Sequence, residues 1–339
     1  MPSATEPYPL EFEPILLPKV WGGRRLSALG KALPEGENIG ESWEIADLAS
    51  TDPTGAGGQA KRSVIANGPL SGKTLHAAMN AWGPALLGPA KAATDGGFPL
   101  LVKFLDAREH LSVQVHPSPV YAKDHPQANL KSECWYVLSA ETGERGEQPV
   151  VFKGFKPGVT EQDYREAIGQ GRVPELLNAV PAVVGEMHDL PSGTIHALGA
   201  GVLVAEVQTP SDTTFRVFDW IAKYNRPVRG LHIEQALEST LFEDPPPATS
   251  GEGVLVQNEY FSVRQILAHC EEKPIAEPGR CTAMMMLETM GATLASRSEK
   301  FGEITMEPGK TVLVPAACVE DVVLRGGPGT KALAVEITS

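Results

Sequence analysis

The sequence predicts a mainly β protein, built as two barrel-sized parts with a small helical insertion in the first. Three observations carry this. The 34 glycines and 29 prolines punctuate short apolar runs, the pattern of many strands joined by tight turns. Clear strand candidates outnumber the helix signals. Residues 242–253, FEDPPPATSGEG, hold three consecutive prolines followed by small polar residues and cannot sustain a regular element, so a domain boundary is placed there.

In chain order, the strand expectations are PLLVKFLDA at 99–107, LSVQVHP at 111–117, CWYVLS at 134–139, VLVAEVQT at 202–209 and TTFRVFDW at 213–220. Beyond the linker come TAMMMLETM, TVLVPAA and ALAVEIT. Helix signals are fewer. Residues 74–88 read as one helix, residues 160–171 followed by 173–180 as another region, and 232–240 as a short third. Thr160, with Glu161 and Asp163 behind it, is the expected N-cap of the second. The domains expected are 1–241, with the helical insertion at about 72–88 and 160–180, and 254–339, almost free of helix. A weak internal match links them. DLPSGTIH at 189–196 precedes GVLVAEVQT, and LVPAACVE at 313–320 precedes TKALAVEIT. His196 in the first copy corresponds to Glu320 in the second. A duplicated unit and a chance likeness of two hairpins both explain this.

The composition is ordinary for a protein with a real core, 42 % hydrophobic and 21 % charged, but the formal net charge is −13. That charge repels nucleic acid and anionic membrane surfaces, so neither is an expected partner. An anionic small molecule would need a local cationic pocket. The N-terminus has no basic run leading into an apolar core, and no apolar stretch is long enough to span a bilayer. Cys134, Cys270, Cys281 and Cys318 have no CxxC spacing and read as reduced thiols, which makes a cytoplasmic location the expectation.

Residues 109–117, EHLSVQVHP, hold the most informative pattern. On a strand, Leu111, Val113 and Val115 face one way, while His110, Ser112, Gln114 and His116 face the other. That polar face is either a pocket wall or simply solvent-facing. In KSECWYVL, Glu133 opens an apolar strand with Lys131 two residues earlier on the same face, which taken alone is an exposed ion pair. In LPSGTIHAL a Pro-Ser-Gly turn delivers His196 onto a strand, where a lone histidine is usually structural. Together the three segments supply two imidazoles, one carboxylate and one amide. Zinc accepts such nitrogen and oxygen donors, and other borderline or hard divalent metals would too.

The segments KFLDAREHLSVQVHP, KSECWYVL, GTIHAL and SDTTFRVFDW, with GESWEIADL near the N-terminus, resemble type I mannose-6-phosphate isomerases in their short bacterial form, in matching order from about Tyr8 to Glu238. The resemblance implies cupin-type (jelly-roll) β-barrels, two in tandem, and a zinc enzyme that interconverts mannose 6-phosphate and fructose 6-phosphate. It places the metal motif on Gln114, His116, Glu133 and His196, with one Zn2+ per chain. The C-terminal part, which resembles the family only in its strand pattern, is expected to hold no metal. The family's active-site arginine falls on Arg216, an acidic residue on Glu206 and a lysine on Lys131. Lys103 and Ser112 match positions tied to the substrate's phosphate end. Longer members carry a further lysine soon after the arginine, where this chain reads Val217-Phe218-Asp219-Trp220.

These residue types suit the implied reaction. Aldose–ketose isomerisation removes a proton next to a carbonyl and passes through an enediolate. A divalent metal can act as a Lewis acid on the oxygen, and a fixed arginine can stabilise developing charge. A base must carry the proton, and Lys131, Glu206 and a water at the metal are all candidates. A non-catalytic sugar-binding or regulatory cupin would keep the fold and lose the chemistry, and a metal-dependent oxygenase would want a more His-rich set. The complete donor set with Arg216 favours the isomerase. The sequence leaves the oligomeric state open.

Overall fold

A computed structural model describes residues 6–49, 60–125, 127–269 and 272–338. The chain is mainly β. Its strands are β1 (Leu10–Glu11), β2 (Ile15–Gly23), β3 (Ile39–Ile45), β4 (Leu101–Ala107), β5 (Val113–Val115), β6 (Glu133–Ala140), β7 (Val150–Phe155), β8 (Leu177–Pro181), β9 (Glu186–Leu190), β10 (His196–Leu198), β11 (Val202–Gln208) and β12 (Phe215–Phe218). Beyond these come β13 (Thr249–Ser250), β14 (Gly253–Gln257), β15 (Phe261–Ala268), β16 (Glu272–Pro274), β17 (Thr282–Glu288), β18 (Ala292–Ser296), β19 (Ile304–Met306), β20 (Thr311–Val314), β21 (Val322–Gly326) and β22 (Thr330–Ile337).

The first part is a seven-stranded sheet, β13-β9-β6-β11-β4-β2-β3, facing a five-stranded sheet, β12-β5-β10-β7-β8. The second part faces a six-stranded sheet, β1-β20-β17-β22-β15-β14, with a four-stranded one, β16-β21-β18-β19. The orders correspond. The run 9-6-11-4 matches 20-17-22-15, and 5-10-7-8 matches 16-21-18-19. The two parts therefore share one topology, the duplicated-unit alternative of the internal match. The likeness does not extend to the ligand position: His196 is buried at the start of β10, whereas Glu320 is exposed in the turn before β21.

Strand alternation explains how the halves pack. On β4, Val102 and Phe104 face the second part, while Lys103 and Leu105 face the interior of the first. Ala205 and Val207 of β11 likewise join Val263, Met285, Leu313 and Leu333 in one shared core, leaving Glu206 turned inward. The central strands of the seven-stranded sheet are thus buried on both faces, and neither β4 nor β11 has an exposed residue. A separate core of Met284, Met286, Leu294, Val312 and Leu324 fills the second part. Specific contacts also cross the boundary drawn at 242–253. β1, from the extreme N-terminal end, pairs with β20, and Tyr136 donates a hydrogen bond to Gln265 at 2.7 Å. Within the linker itself, Thr249–Ser250 pairs with β9.

The helices are short. Residues 74–88 break at Gly83 (φ 48°) into α1 (Leu75–Trp82) and α2 (Pro84–Leu87). α3 (Pro119–Asp124) follows β5. Thr160 caps α4 (Glu161–Gln170) in a capping box with Asp163. The helix expected at 173–180 ends after α5 (Val173–Leu176). Leu177 then starts β8, because pairing Phe155 with Leu177 and Val151 with Val180 satisfies the backbone of β7. α6 (Ile221–Tyr224) and α7 (Ile233–Ser239) complete the first part.

Candidate functional site

Four sequence-predicted donors meet inside the first barrel. β5 pairs with β10 so that Gln114 lies opposite His196, and with β12 so that Gln114 also lies opposite Arg216. Glu133 opens β6 across the interior. His196 arrives from the turn at Pro191-Ser192-Gly193. Thr194 N–H donates to the Pro191 carbonyl at 3.0 Å, Ser192 N–H to Ser132 Oγ at 3.1 Å, and Gly193 takes φ 92°. A Cβ at Gly193 would stand 2.7 Å from Leu241, so the position requires glycine twice over.

The histidines are oriented by main-chain carbonyls. His116 Nδ1 lies 2.8 Å from Thr213 O and His196 Nδ1 lies 2.8 Å from Thr194 O. A carbonyl can only accept, so each Nδ1 carries the proton and each Nε2 presents a lone pair. Both lone pairs face Glu133: His196 Nε2 is 3.1 Å from Oε1 and His116 Nε2 is 3.4 Å from Oε2. The ring centroids are 4.9 Å apart, and the Trp135 ring stands edge-on to His196 at 5.3 Å. The ligating atoms of the trio lie within 4.8 Å of one another. All three residues are buried, and neither Glu133 oxygen accepts a hydrogen bond.

Three acceptors converging with Lys131 as their neighbouring donor is an arrangement that suits a cation. Zinc bonds of about 2.0–2.2 Å place ligand atoms roughly 3–4 Å apart, as the His–Glu separations here do. Gln114 Nε2 is 3.4 Å from His196 Nε2, and rotating the amide about its last torsion would offer its oxygen at the same place. Lys131 is the one cation at the trio, 2.8 Å from Glu133 Oε2 and 3.2 Å from His116 Nε2 among the described contacts. Burial and the Lys131 charge push the His116 imidazole down to about 3, so it stays neutral. Burial opposes ionisation of Glu133, but the Lys131 charge holds its carboxyl well below the usual range.

A cavity of about 180 Å³ opens beside the trio and is lined by Ser112, Gln114, Lys131, Trp135, Glu206 and Arg216. Lys103 lies opposite Glu206 in the β4–β11 register, 3.2 Å away, and 4.0 Å from Glu41. Both carboxylates raise the Lys103 ammonium against the effect of burial. Trp135 Nε1 donates to Glu206 Oε2 at 2.9 Å, while Oε1 accepts no hydrogen bond. Burial raises the Glu206 carboxyl, and the Lys103 charge resists it. Ser112 Oγ is 3.4 Å from Gln114 Oε1. Arg216 Nη1 donates to Gly230 O at 3.0 Å, and burial together with neighbouring Arg229 lowers the guanidinium to about 10.

All nine sequence-predicted site residues therefore lie at the donor trio or on the cavity wall. Sequence reasoning missed Lys19, Glu41, Arg229 and His232, which line the same cavity. Glu41 stood inside a segment already singled out, GESWEIADL. Arg229 comes from a loop with no periodic pattern to mark it, and His232 opens a stretch read as a short helix. The cavity's lysines and arginines concentrate positive charge inside a chain of net charge −13.

Residues 14–147 match the family model for the phosphomannose isomerase type I catalytic domain. The mannose-6-phosphate isomerase of Streptococcus mutans is 37 % identical over 265 residues, 75 % of this chain and 77 % of that protein. The crystal structure of the Bacillus subtilis mannose 6-phosphate isomerase superposes with a TM-score of 0.77 at 28 % identity, covering 96 % of this chain and 99 % of the other. A mannose 6-phosphate isomerase bound with zinc and yttrium shares the fold, with a TM-score of 0.70 at 19 % identity over 98 % of this chain and 100 % of that one.

Proposed function

The chain belongs to the type I mannose-6-phosphate isomerase family, and from that premise we propose how its first barrel carries out the reaction. It is an isomerase of mannose 6-phosphate and fructose 6-phosphate. One observation carries the assignment of the site: two imidazole lone pairs and a buried carboxylate converge beside a cavity rich in cations.

We assign His116, Glu133, His196 and Gln114 to one zinc ion per chain. The mixed nitrogen and oxygen set, closed by a carboxylate, suits zinc better than a soft metal. When bound, such an ion supplies Lewis-acid polarisation of the sugar's oxygens. The protein groups do the rest. Glu206 is the proton carrier: it lines the cavity, its Oε1 faces the Lys103 ammonium at 3.2 Å, and burial raises its basicity. Lys131 holds its ammonium against Glu133 and so serves as fixed positive charge. Arg216, next to Gln114 across the strand pair, stabilises oxyanion charge as it develops. Ser112 and Lys103 belong to the phosphate end of the substrate. The first part, 1–241, is assigned the chemistry, and 254–339 buttresses its larger sheet.

Among the described residues no helix is long and apolar enough to cross a membrane; Cys134, Cys281 and Cys318 are free thiols, which supports placement in a reducing compartment such as the cytoplasm. The test is a coupled assay of fructose 6-phosphate formation from mannose 6-phosphate, before and after chelation. Activity should vanish on chelation and return with zinc. A protein that binds the sugar phosphate without turning it over would instead be a regulatory cupin.

A further inference from the structure

We propose that Arg229 is the residue that takes the substrate's phosphate, as a guanidinium aimed at a phosphomonoester dianion at the Ser112 end of the cavity. This rests on the isomerase reading above. The starting point is an imbalance. Lys103, on the same cavity wall, already faces Glu206 at 3.2 Å and Glu41 at 4.0 Å, so its charge is compensated before any substrate arrives. A dianion entering a chain of net charge −13 needs positive charge that is not already matched.

Arg229 supplies it. Its Nε donates to Asp219 Oδ2 at 2.6 Å, which fixes the guanidinium plane, while its Nη2 is buried with no hydrogen-bond partner. Asp219 cannot neutralise it alone. Its other oxygen accepts from Arg226 Nη1 at 3.1 Å, so one buried carboxylate is shared between two guanidiniums. Arg226 is in turn held by Glu109 at 3.0 Å and by the His110 carbonyl at 2.6 Å, facing away from the cavity wall. Arg216 adds to the excess. Its Nε is also buried without a partner, and its Nη1 holds the Gly230 carbonyl, pinning the residue that follows Arg229. The two guanidiniums feel each other, since Arg229 lowers the Arg216 pKa after burial does. Arg229, fixed by Asp219 and with its Nη2 unused, forms the anion site, while Arg216 is kept for the chemical step.

Position agrees. Arg216 lies opposite Gln114 and Phe218 opposite Val113, so the chain running on to Asp219 moves towards Ser112 and away from His116. A phosphate there would sit on the Ser112 side of Gln114 and the His116–Glu133–His196 trio on the other, as a six-carbon substrate reacting at its opposite terminus requires.

The experiment uses the metal-loaded full chain, with mannose 6-phosphate as substrate and inorganic phosphate as competing inhibitor. Losing one charge-assisted contact should weaken both together, so Arg229→Met should raise KM and the phosphate Ki about 10–100-fold, with kcat and bound metal unchanged. Arg229→Lys should fall between, because a point charge cannot reproduce the fork. An unchanged Ki in Arg229→Met, or a loss confined to kcat, would overturn the proposal. Should the Met variant fail to fold, the Lys variant decides: a raised Ki at full metal content supports the assignment and an unchanged Ki removes it. Wild-type protein without turnover would sink the isomerase reading instead, a separate outcome.

Discussion

Glu133→Gln probes the centre of the site through stability as well as activity. In the metal-free protein, Glu133 and Lys131 form a buried ion pair at 2.8 Å, with side-chain exposures of 0 % and 6 %. Removing one partner leaves the other charge buried and uncompensated, which typically costs about 3–5 kcal/mol. With a urea m-value of about 3 kcal/mol/M, the unfolding midpoint of the chelated protein should fall by roughly 1–2 M. Adding Lys131→Met removes the stranded ammonium and should recover most of that loss. Neither variant should gain the stabilisation that added zinc gives the wild type, because the trio has lost its only negative ligand. Urea unfolding with and without zinc, alongside metal analysis, measures every quantity. The reasoning fails if Glu133→Gln costs under about 1 kcal/mol, or if its midpoint rises with zinc as far as the wild type's does.

Three further outcomes are expected. Arg216→Ala should lower kcat by roughly 10²–10³ with little change in KM, as removal of a donor that acts only on developing charge does; steady-state kinetics separate this from a binding role. Glu206→Gln should lower kcat by about 10²–10⁴ at unchanged zinc content and abolish the acid limb of the pH–rate profile, in which activity rises as Glu206 loses its proton. That limb should lie above the ordinary glutamate value of 4.5, since burial raises the group. Glu41, held down to about 2 by Lys19 and Lys103 against its burial, contributes stability that is full above its unfolded value of 4.5 and is lost as pH falls towards 2. Glu41→Gln should therefore be about 3 kcal/mol less stable than wild type at pH 7, and the gap should narrow by about 1 kcal/mol at pH 4, read from urea midpoints.

The first strand of the site was legible because its signal is local. Alternation alone puts Ser112, Gln114 and His116 on one face, and it puts Lys103 inward once Val102 and Phe104 are read as core. The turn before His196 was legible because Pro191 and Gly193 restrict the backbone whatever surrounds them. Helix 173–180 was misread past Leu176 for the opposite reason. Its propensity is local, but the pairing of Leu177 with Phe155 that overrides it spans the sheet.

What the sequence by itself determined is the set of donors, the family they resemble and the β architecture that carries them. Only the tertiary structure decided how charge is distributed among those donors. That Lys103 is already matched by Glu206 and Glu41, that Lys131 lies against Glu133, and that Arg229 keeps an unpaired nitrogen at the cavity all depend on strands and loops far apart in the chain. The reason is physical. Alternation and turn chemistry act between neighbours along the backbone, whereas Coulomb interaction and desolvation depend on distance through space and on burial, which exist only once the sheets have closed.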